Sequence, residues 1–296
     1  MTAAGSFGSH VYPDDQKSGA KRATEGSKPR SQIEIKERDY EMFLTEEQTK
    51  EFKDKGFIVL KDFFDKAVMG GVSAWLDELR HKRPKTNEEA KYFEKSTITG
   101  ENILVRIENL LGDHNPEITK LLLSPKTIDC LSQLFGEPPV LFKEKVNYKL
   151  PGCRPDKLHQ DQAAGWNAYS DFFITMGIVV DENRRDNAAL SFMKSGNYKR
   201  KLMTEEWQTL SDDDPPYSPE EEYVLLEADP GDVIFFDSYV PHGSLANTGD
   251  RSRRNIFLTF NKQSDGDMRA KYYEDKWASY APNEVDDARS EESYRV

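Results

Sequence analysis

The sequence predicts a mostly β protein, in which a jelly-roll core of short strands is flanked by helices that pack on one side. Two observations support this fold class. Helical patterns occupy the chain up to about residue 135, and from Val140 onward short β-type segments alternate with turn residues. Many short strands separated by turns are typical of antiparallel barrels and jelly rolls. Helices that precede the strands indicate an N-terminal helical layer against this core.

The order of elements begins with a capped helix. Thr45 can act as its N-cap, Gln48 stands where a capping box requires it, and Gly56 ends the helix. The apolar run that follows Gly56 has the character of a buried strand. By the same criteria, helices are predicted over about 45–55, 66–80 and 116–135, a polar loop over 84–100, and strands over 57–60, 140–150, 172–180, 189–192, 223–226, 232–236 and 255–260.

The N-terminal segment, residues 1–36, is predicted to be a disordered tail. It is rich in Gly, Ser, Lys, Arg and Pro and has few large apolar side chains, so burial cannot offset the entropy lost on ordering. Residues 37–296 are expected to fold as a single domain, because barrels and sandwiches of this length often form around one core.

Composition and charge restrict the classes of partner. The net charge of -12 argues against a nucleic-acid partner, because such proteins concentrate Lys and Arg on one face. No apolar run is long enough to span a bilayer or resembles a signal peptide, so no membrane partner is expected. The two cysteines form no CxxC pair, which gives no support for a zinc cluster or a disulfide framework. A soluble cytoplasmic protein, monomeric or homodimeric, is expected.

Three residues, called the triad below, have the pattern of a metal site. His159 and Asp161 stand two residues apart, so in extended backbone their side chains project from the same face. Such a pair is short enough to arise by chance and needs a further ligand. His242 follows an apolar strand, and a third ligand there would complete a facial triad that leaves three positions of an octahedral iron(II) open. Two open positions can take the keto acid of 2-oxoglutarate, and the third can take O2.

Arg253, eleven residues past His242 and directly before an apolar strand, is the candidate anchor for that cosubstrate. 2-Oxoglutarate has a distal carboxylate, which must be held if its keto acid is to reach the iron. A guanidinium group can bind a carboxylate through two parallel hydrogen bonds. The triad and Arg253 together predict an oxygenase that depends on iron(II) and 2-oxoglutarate.

These residues, together with the capped helix and the strand after it, resemble the phytanoyl-CoA dioxygenase family of iron(II)- and 2-oxoglutarate-dependent oxygenases. The resemblance covers about residues 43–275 and implies a double-stranded β-helix, which is a cupin-like jelly roll. It implies that the triad binds iron and acts in catalysis. Asp161 favours hydroxylation, because halogenases of this superfamily have a small residue at that place. Four residues would by resemblance bind the cosubstrate: Arg253, Ser244, Asn147 and Lys149.

The sequence is also similar to the branch of this family that acts on small aminophosphonates and, less closely, to ectoine hydroxylases. It departs from that branch over residues 186–190, where Asp-Asn-Ala-Ala-Leu replaces the usual Glu-Asn-Gly-Cys-Leu. Four residues are candidates for substrate binding: Arg106 and Lys143 for an anionic group, and Trp166 and Tyr169 for an ammonium group by cation–π contact.

The expected reaction is hydroxylation of an unactivated C–H bond in a small polar or zwitterionic metabolite, such as an aminophosphonate or a quaternary amine, with release of succinate and CO2. Two other classes stay open. The chain could be a cupin-like protein that senses 2-oxoglutarate, iron or oxygen without turnover, or a scaffold in which the triad is incidental. An oxygenase of a larger secondary metabolite or an acyl-CoA is a further alternative.

Overall fold

Two antiparallel β-sheets form the centre of the molecule in a computed structural model, which describes residues 41–83, 89–211, 213, 217 and 220–283. The predicted disordered tail lies outside these residues, and the extent of the single domain stays a prediction. In the described residues the strands are β1 (Phe57–Leu60), β2 (Ala90–Lys95), β3 (Asn102–Glu108), β4 (Pro139–Lys149), β5 (Asp156–His159), β6 (Ile174–Val179), β7 (Leu190–Met193), β8 (Tyr223–Leu226), β9 (Val233–Asp237), β10 (His242–Ser244) and β11 (Arg253–Lys262). The helices are α1 (Glu46–Lys55), α2 (Lys66–His81), α3 (Pro116–Leu122), α4 (Pro125–Phe135) and α5 (Arg269–Ser279).

The two sheets face each other as in a jelly roll, so the predicted fold class is confirmed. The larger sheet has the order β1-β9-β6-β11-β4-β3-β2, and the smaller sheet has the order β5-β10-β7-β8. Phe192 of the smaller sheet packs on Phe57 and Phe236 of the larger sheet, with ring centroids 5.1 and 5.3 Å apart. This aromatic contact between the inner faces holds the sheets together at one part of the interior.

Alternation along β11 separates the helix-covered face of the larger sheet from its interior face. Ile256, Leu258 and Phe260 join an apolar cluster that includes residues of α2 and α4. Phe257 and Thr259 instead line the cavity between the sheets. Because a strand turns successive side chains to opposite faces, the same strand supports the helical layer and lines the interior. Helices α1–α4 therefore cover one side of the β-core, as predicted, whereas α5 packs in a separate cluster.

Two predicted segments differ from the structure. The predicted loop over 84–100 contains strand β2, which pairs with β3, while 84–88 lie outside the described residues. The β2 sequence is half charged, so its extended form depends on its pairing partner more than on its own propensity. The predicted helix over 116–135 is interrupted where Ser124 caps α4 and Pro125 begins it. Strands β3, β5 and β10 and helix α5 are absent from the predicted set.

Helix α5 forms a wall of the interior and is held there by two buried ion pairs. Arg269 Nη2 lies 2.5 Å from Glu144 Oε1 of β4. Lys276 Nζ lies 2.6 Å from Glu108 Oε1 of β3. Both carboxylates are almost fully buried, so the loss of either partner would leave an uncompensated charge away from water. These pairs hold α5 against strands β3 and β4.

Helix α1 begins and ends as its capping residues predict. Thr45 Oγ1 accepts a hydrogen bond from the Gln48 amide at 3.1 Å, and Gln48 Oε1 accepts one from the Thr45 amide at 2.9 Å. Gly56 ends the helix with φ at +84°, and a Cβ added there would lie 1.8 Å from Tyr198 Oη. Both the backbone conformation and the close packing therefore require glycine at this position.

Replacement of Gly56 by alanine is expected to lower the free energy of unfolding by about 2–4 kcal/mol, the sum of left-handed backbone strain and overpacking. Denaturant unfolding followed by circular dichroism measures this change. Gly70→Ala is the matched control, because Gly70 lies inside α2 with nothing within 4 Å of an added Cβ. The control should raise the free energy of unfolding by about 0.5–1 kcal/mol. Equal effects of the two substitutions would contradict the role given to Gly56.

Candidate active site

The three metal ligands predicted from the sequence come together between the sheets. His159 ends β5, Asp161 follows one extended residue later, and His242 begins β10. Strand pairing places His242 directly opposite His159, and the ring centroids lie 4.4 Å apart. Each of the three residues offers one ligand atom within 4.8 Å of the other two. This spacing suits a single ion that is bound on one face.

Backbone hydrogen bonds determine which nitrogen of each imidazole can bind an ion. Nδ1 of His159 lies 2.7 Å from the Lys157 carbonyl oxygen, and Nδ1 of His242 lies 3.0 Å from that of Val240. A carbonyl oxygen only accepts, so each Nδ1 carries the hydrogen and each Nε2 keeps its lone pair. The residues therefore fit a divalent metal, with two Nε2 atoms and one carboxylate oxygen as ligands.

The surroundings of the ligands favour the protonation states that bind metal. Burial, followed by the charge of the nearby His159, lowers the pKa of His242 to about 4, so this imidazole is neutral at pH 7. Burial raises the pKa of Asp161, but the adjacent His242 and two nearby lysines lower it further than burial raises it. A neutral imidazole and an ionised carboxylate are the forms that a metal ion needs.

Arg253, the predicted cosubstrate anchor, is fully buried on β11. It lies four residues before Phe257, so both side chains are on the same face of the strand, the face that lines the interior. Its Nε and Nη2 donate to the carbonyl oxygen of Ala188 at 3.0 and 2.5 Å. Its Nη1 is buried and has no hydrogen-bond partner among the described residues. Burial lowers the pKa of Arg253 to about 10, which still leaves the guanidinium charged at pH 7. A buried charge with an unused donor fits a carboxylate ligand.

Asp156, a carboxylate that the sequence analysis missed, lies between two predicted cosubstrate residues. Lys149 Nζ is 3.0 Å from Asp156 Oδ2, and Ser244 Oγ donates to the same oxygen at 3.0 Å. Burial raises the pKa of Asp156, but Lys149 and Arg154 hold it well below its usual range. Lys149 and Ser244 are thus paired within the protein, and their contact with a cosubstrate stays a prediction. No local signal reveals Asp156, because its position depends on the register between β5 and β10.

Asn147, the remaining predicted cosubstrate residue, lines the cavity of the metal ligands from β4. It lies opposite Asn255 of β11 and Arg106 of β3 in the two strand registers. Its role with a cosubstrate also stays a prediction. Lys145, which was not among the predicted site residues, lines the same cavity. A period of two from Asn147 places Lys145 on the same face, so this residue could have been found from the sequence.

A cavity of about 230 Å³ adjoins the metal ligands and is strongly cationic. Four basic side chains border it: Arg106, Lys143, Lys145 and Lys276. Glu108, buried behind two of them, lies 2.6 Å from Lys276 and 3.2 Å from Arg106. Burial raises the pKa of Glu108, but these two cations lower it to about 2. With a divalent ion at the triad, the cavity has a surplus of positive charge that fits an anionic ligand.

Trp166 and Tyr169 line this cavity as predicted, but each already contacts a charged side chain. The Lys143 ammonium lies 4.1 Å from the centre of the Trp166 ring, which is a cation–π geometry. Tyr169 Oη donates to Asp275 Oδ2 at 2.8 Å. Lys143 therefore occupies one side of the Trp166 ring, and the substrate contacts predicted for Trp166 and Tyr169 stay predictions.

The jelly roll, the site of two histidines and one carboxylate, and the buried arginine define a class of protein, the non-haem iron oxygenases that use 2-oxoglutarate. Residues 52–255 match the model of the phytanoyl-CoA dioxygenase (PhyH) family, and the chain belongs to this family. The family resemblance found in the sequence is thereby confirmed.

Relatives of known activity match most of the chain. The 2-aminoethylphosphonate dioxygenase of the uncultured bacterium HF130_AEPn_1 is 36% identical over 240 residues, which cover 81% of this chain and 90% of that protein. The methylphosphonate hydroxylase of Gimesia maris is 32% identical over 238 residues, which cover 80% and 88%. These relatives confirm the predicted enzyme class, a dioxygenase.

A solved structure shares the fold. EctD from S. alaskensis, determined with 2-oxoglutarate and 5-hydroxyectoine, superimposes with a TM-score of 0.62 over 80% of this chain and 83% of that one. The sequences are 21% identical, so this similarity concerns the fold alone.

Proposed function

We propose that this protein is an iron(II)- and 2-oxoglutarate-dependent dioxygenase that hydroxylates a small organophosphonate such as 2-aminoethylphosphonate. The cationic cavity beside the triad carries this proposal. A phosphonate is an anion with three oxygens, and Arg106, Lys143 and Lys145 offer it N–H donors. Burial lowers the pKa of Lys143 well below its ordinary value, and a bound anion would favour the charged form. Two relatives whose names specify phosphonates, at 36% and 32% identity, support the same class of substrate.

The size of the cavity supports a small substrate. Its volume of about 230 Å³ is below the range of roughly 300–1,000 Å³ that is common for sites of drug-sized ligands. A molecule of few heavy atoms fits such a space beside the metal ligands. An acyl-CoA or a large secondary metabolite would extend far beyond it, so these alternatives gain no support from the described residues.

The side chains have separate tasks in this reaction. Bound iron, 2-oxoglutarate and O2 supply the oxidation, in which one C–H becomes C–OH while 2-oxoglutarate becomes succinate and CO2. His159, Asp161 and His242 would hold the ion, and Arg253 would orient 2-oxoglutarate through its distal carboxylate. Aromatic rings of β9 and β11 line the cavity of the metal ligands and limit the access of water.

Turnover of 2-aminoethylphosphonate tests the proposal. With iron(II), 2-oxoglutarate and air, the protein is expected to form succinate and a hydroxylated phosphonate in equal amounts, as followed by chromatography and phosphorus NMR. β-Alanine, which has a carboxylate in place of the phosphonate, should react about 100-fold more slowly, because it leaves buried cationic donors unpaired. Absence of product from phosphonates, with betaines and cyclic amino acids screened beside them, would overturn the proposed substrate and favour the sensor alternative.

The cellular setting is a further part of this proposal. No helix among the described residues is both long and apolar enough to cross a bilayer. We propose a cytoplasmic protein, monomeric or homodimeric, that has a small-molecule substrate and no nucleic-acid partner. The net charge of -12 supports the last point.

A further inference from the structure

Gln160 stands between two of the metal ligands and is itself fully buried. Its Nε2 donates to the carbonyl oxygens of Lys201 and Tyr239 at 2.8 and 2.5 Å. Its Oε1 accepts a hydrogen bond from the Met203 amide at 2.8 Å. Two of these partners belong to residues 198–211, called the Trp207 segment below. One side-chain amide therefore joins the first two metal ligands to two remote parts of the chain.

The Tyr239 carbonyl belongs to the turn that leads to the third ligand, His242. Asp237 holds the same turn, because its Oδ1 accepts the Tyr239 amide at 3.0 Å. Its Oδ2 accepts hydrogen bonds from Tyr198 Oη and Arg200 Nε, both at 2.9 Å. The turn of the third ligand and the Trp207 segment are thus joined twice, once through Asp237 and once through the Gln160 amide.

The Trp207 segment then reaches the substrate cavity. The Trp207 amide donates to the Ala163 carbonyl oxygen, and the Leu210 amide donates to that of Leu158, both at 2.7 Å. The indole packs so closely on Gly165 that a Cβ added to this glycine would lie 2.7 Å from the ring. Trp207 borders the 230 Å³ cavity, yet it is 55% exposed and has φ at +64°. A bulky side chain in that backbone region persists only where surrounding contacts hold it.

We propose that Gln160 is a positioning residue, which holds the metal ligands and the Trp207 wall of the substrate cavity in one fixed arrangement. The alternative is an ordinary buried amide that contributes only to global stability. The two differ in where the effect of its loss appears. A positioning role changes the metal site and the Trp207 segment more than it changes the unfolding of the whole protein.

The substitution Gln160→Met tests the proposal, because it keeps the side-chain volume and removes all three hydrogen bonds. The affinity of the metal-free protein for Co(II), followed by visible absorption, is expected to fall about 10–100-fold. Limited trypsin digestion under native conditions is expected to cut faster after Lys199, Arg200 and Lys201, since the segment opens locally more often. Neither measurement requires the substrate.

A third measurement rests on the proposed function. With 2-aminoethylphosphonate, succinate formed per hydroxylated product should rise from about one to two or more, because a displaced Trp207 wall holds the substrate less well against the metal. If the phosphonate is no substrate, the Co(II) and trypsin results still decide the role of Gln160, so failure of the proposed function is distinguishable from failure of this inference.

Gln133→Met is the matched control. Its amide also joins distant segments, since Oε1 accepts the amides of Phe43 and Leu44 at 2.9 and 3.0 Å, far from the metal ligands. It should change stability without changing Co(II) affinity or the trypsin sites. If Gln160→Met does not fold, Gln160→Glu replaces it, because that variant keeps the acceptor for Met203 and sets a carboxylate oxygen against the two carbonyl oxygens that the amide had joined. Co(II) affinity within about twofold of the native protein, with unchanged trypsin cleavage, would overturn the proposal.

Discussion

Replacement of His242 by alanine is expected to lower hydroxylation by about 1,000-fold or more, because two remaining ligands do not hold iron(II) in the facial geometry. The same change should remove the rise in melting temperature that iron(II) gives to the native protein, since an ion that binds only the folded state stabilises it by mass action. Iron content after anaerobic loading, melting curves with and without iron(II), and the yield of hydroxylated product measure these effects.

His81→Ala is the control for this prediction. His81 is exposed in the last turn of α2 and lies outside the strands that carry the triad. Its loss should leave iron content and turnover within about twofold of the native protein, as surface substitutions usually do. A His242→Ala protein that binds iron as the native protein does would show that the predicted triad is not the metal site.

Replacement of Arg253 by methionine is expected to weaken the binding of 2-oxoglutarate about 100- to 1,000-fold, because the cosubstrate loses a charge-assisted bidentate contact in a buried site. Stability should change by less than about 1 kcal/mol, since the substitution also removes a buried charge whose Nη1 has no partner among the described residues. Titration of the iron(II)-loaded protein with 2-oxoglutarate under anaerobic conditions, together with denaturant unfolding, separates the two effects.

The neighbouring Arg254 provides the matched control on the opposite face of β11. Its Nε donates to Asp181 Oδ2 and its Nη1 to Asp77 Oδ1, both at 2.8 Å. Arg254→Met should therefore lower the free energy of unfolding by about 1–2 kcal/mol, because it removes charge-assisted hydrogen bonds to a partly buried Asp181 and an exposed Asp77. Affinity for 2-oxoglutarate should stay within about threefold. An affinity unchanged in Arg253→Met would reject Arg253 as the anchor.

Residues close together in the sequence account for most of what could be predicted. His159 and Asp161 are two residues apart, and a short extended backbone brings both to one ion. The capping box of α1 and its end at Gly56 are local as well. Lys145 also follows from the alternation of β4, because it lies two residues before Asn147 and lines the same cavity.

Contacts between distant segments account for the errors. Strand β2 has a charged sequence, and only its pairing with β3 makes it extended. Asp156 meets Ser244 because β5 and β10 pair in one particular register. Lys143 lies over the Trp166 ring, a contact that the sequence did not indicate. Each of these contacts joins residues whose separation along the chain gives no periodic signal.

The sequence by itself determined the β-rich fold class, the family and the candidate metal ligands, and it indicated Arg253 as a candidate anchor, because ligand chemistry and strand or helix periodicity are carried by neighbouring residues. Only the tertiary structure showed that basic side chains meet in one cavity and that Lys149 pairs with Asp156. It also showed that the Gln160 amide joins the metal ligands to the Trp207 segment. The physical reason is that these contacts depend on strand register and on the close packing of the core. Both depend on all parts of the chain together, so a short stretch of sequence does not specify the partner of a given side chain.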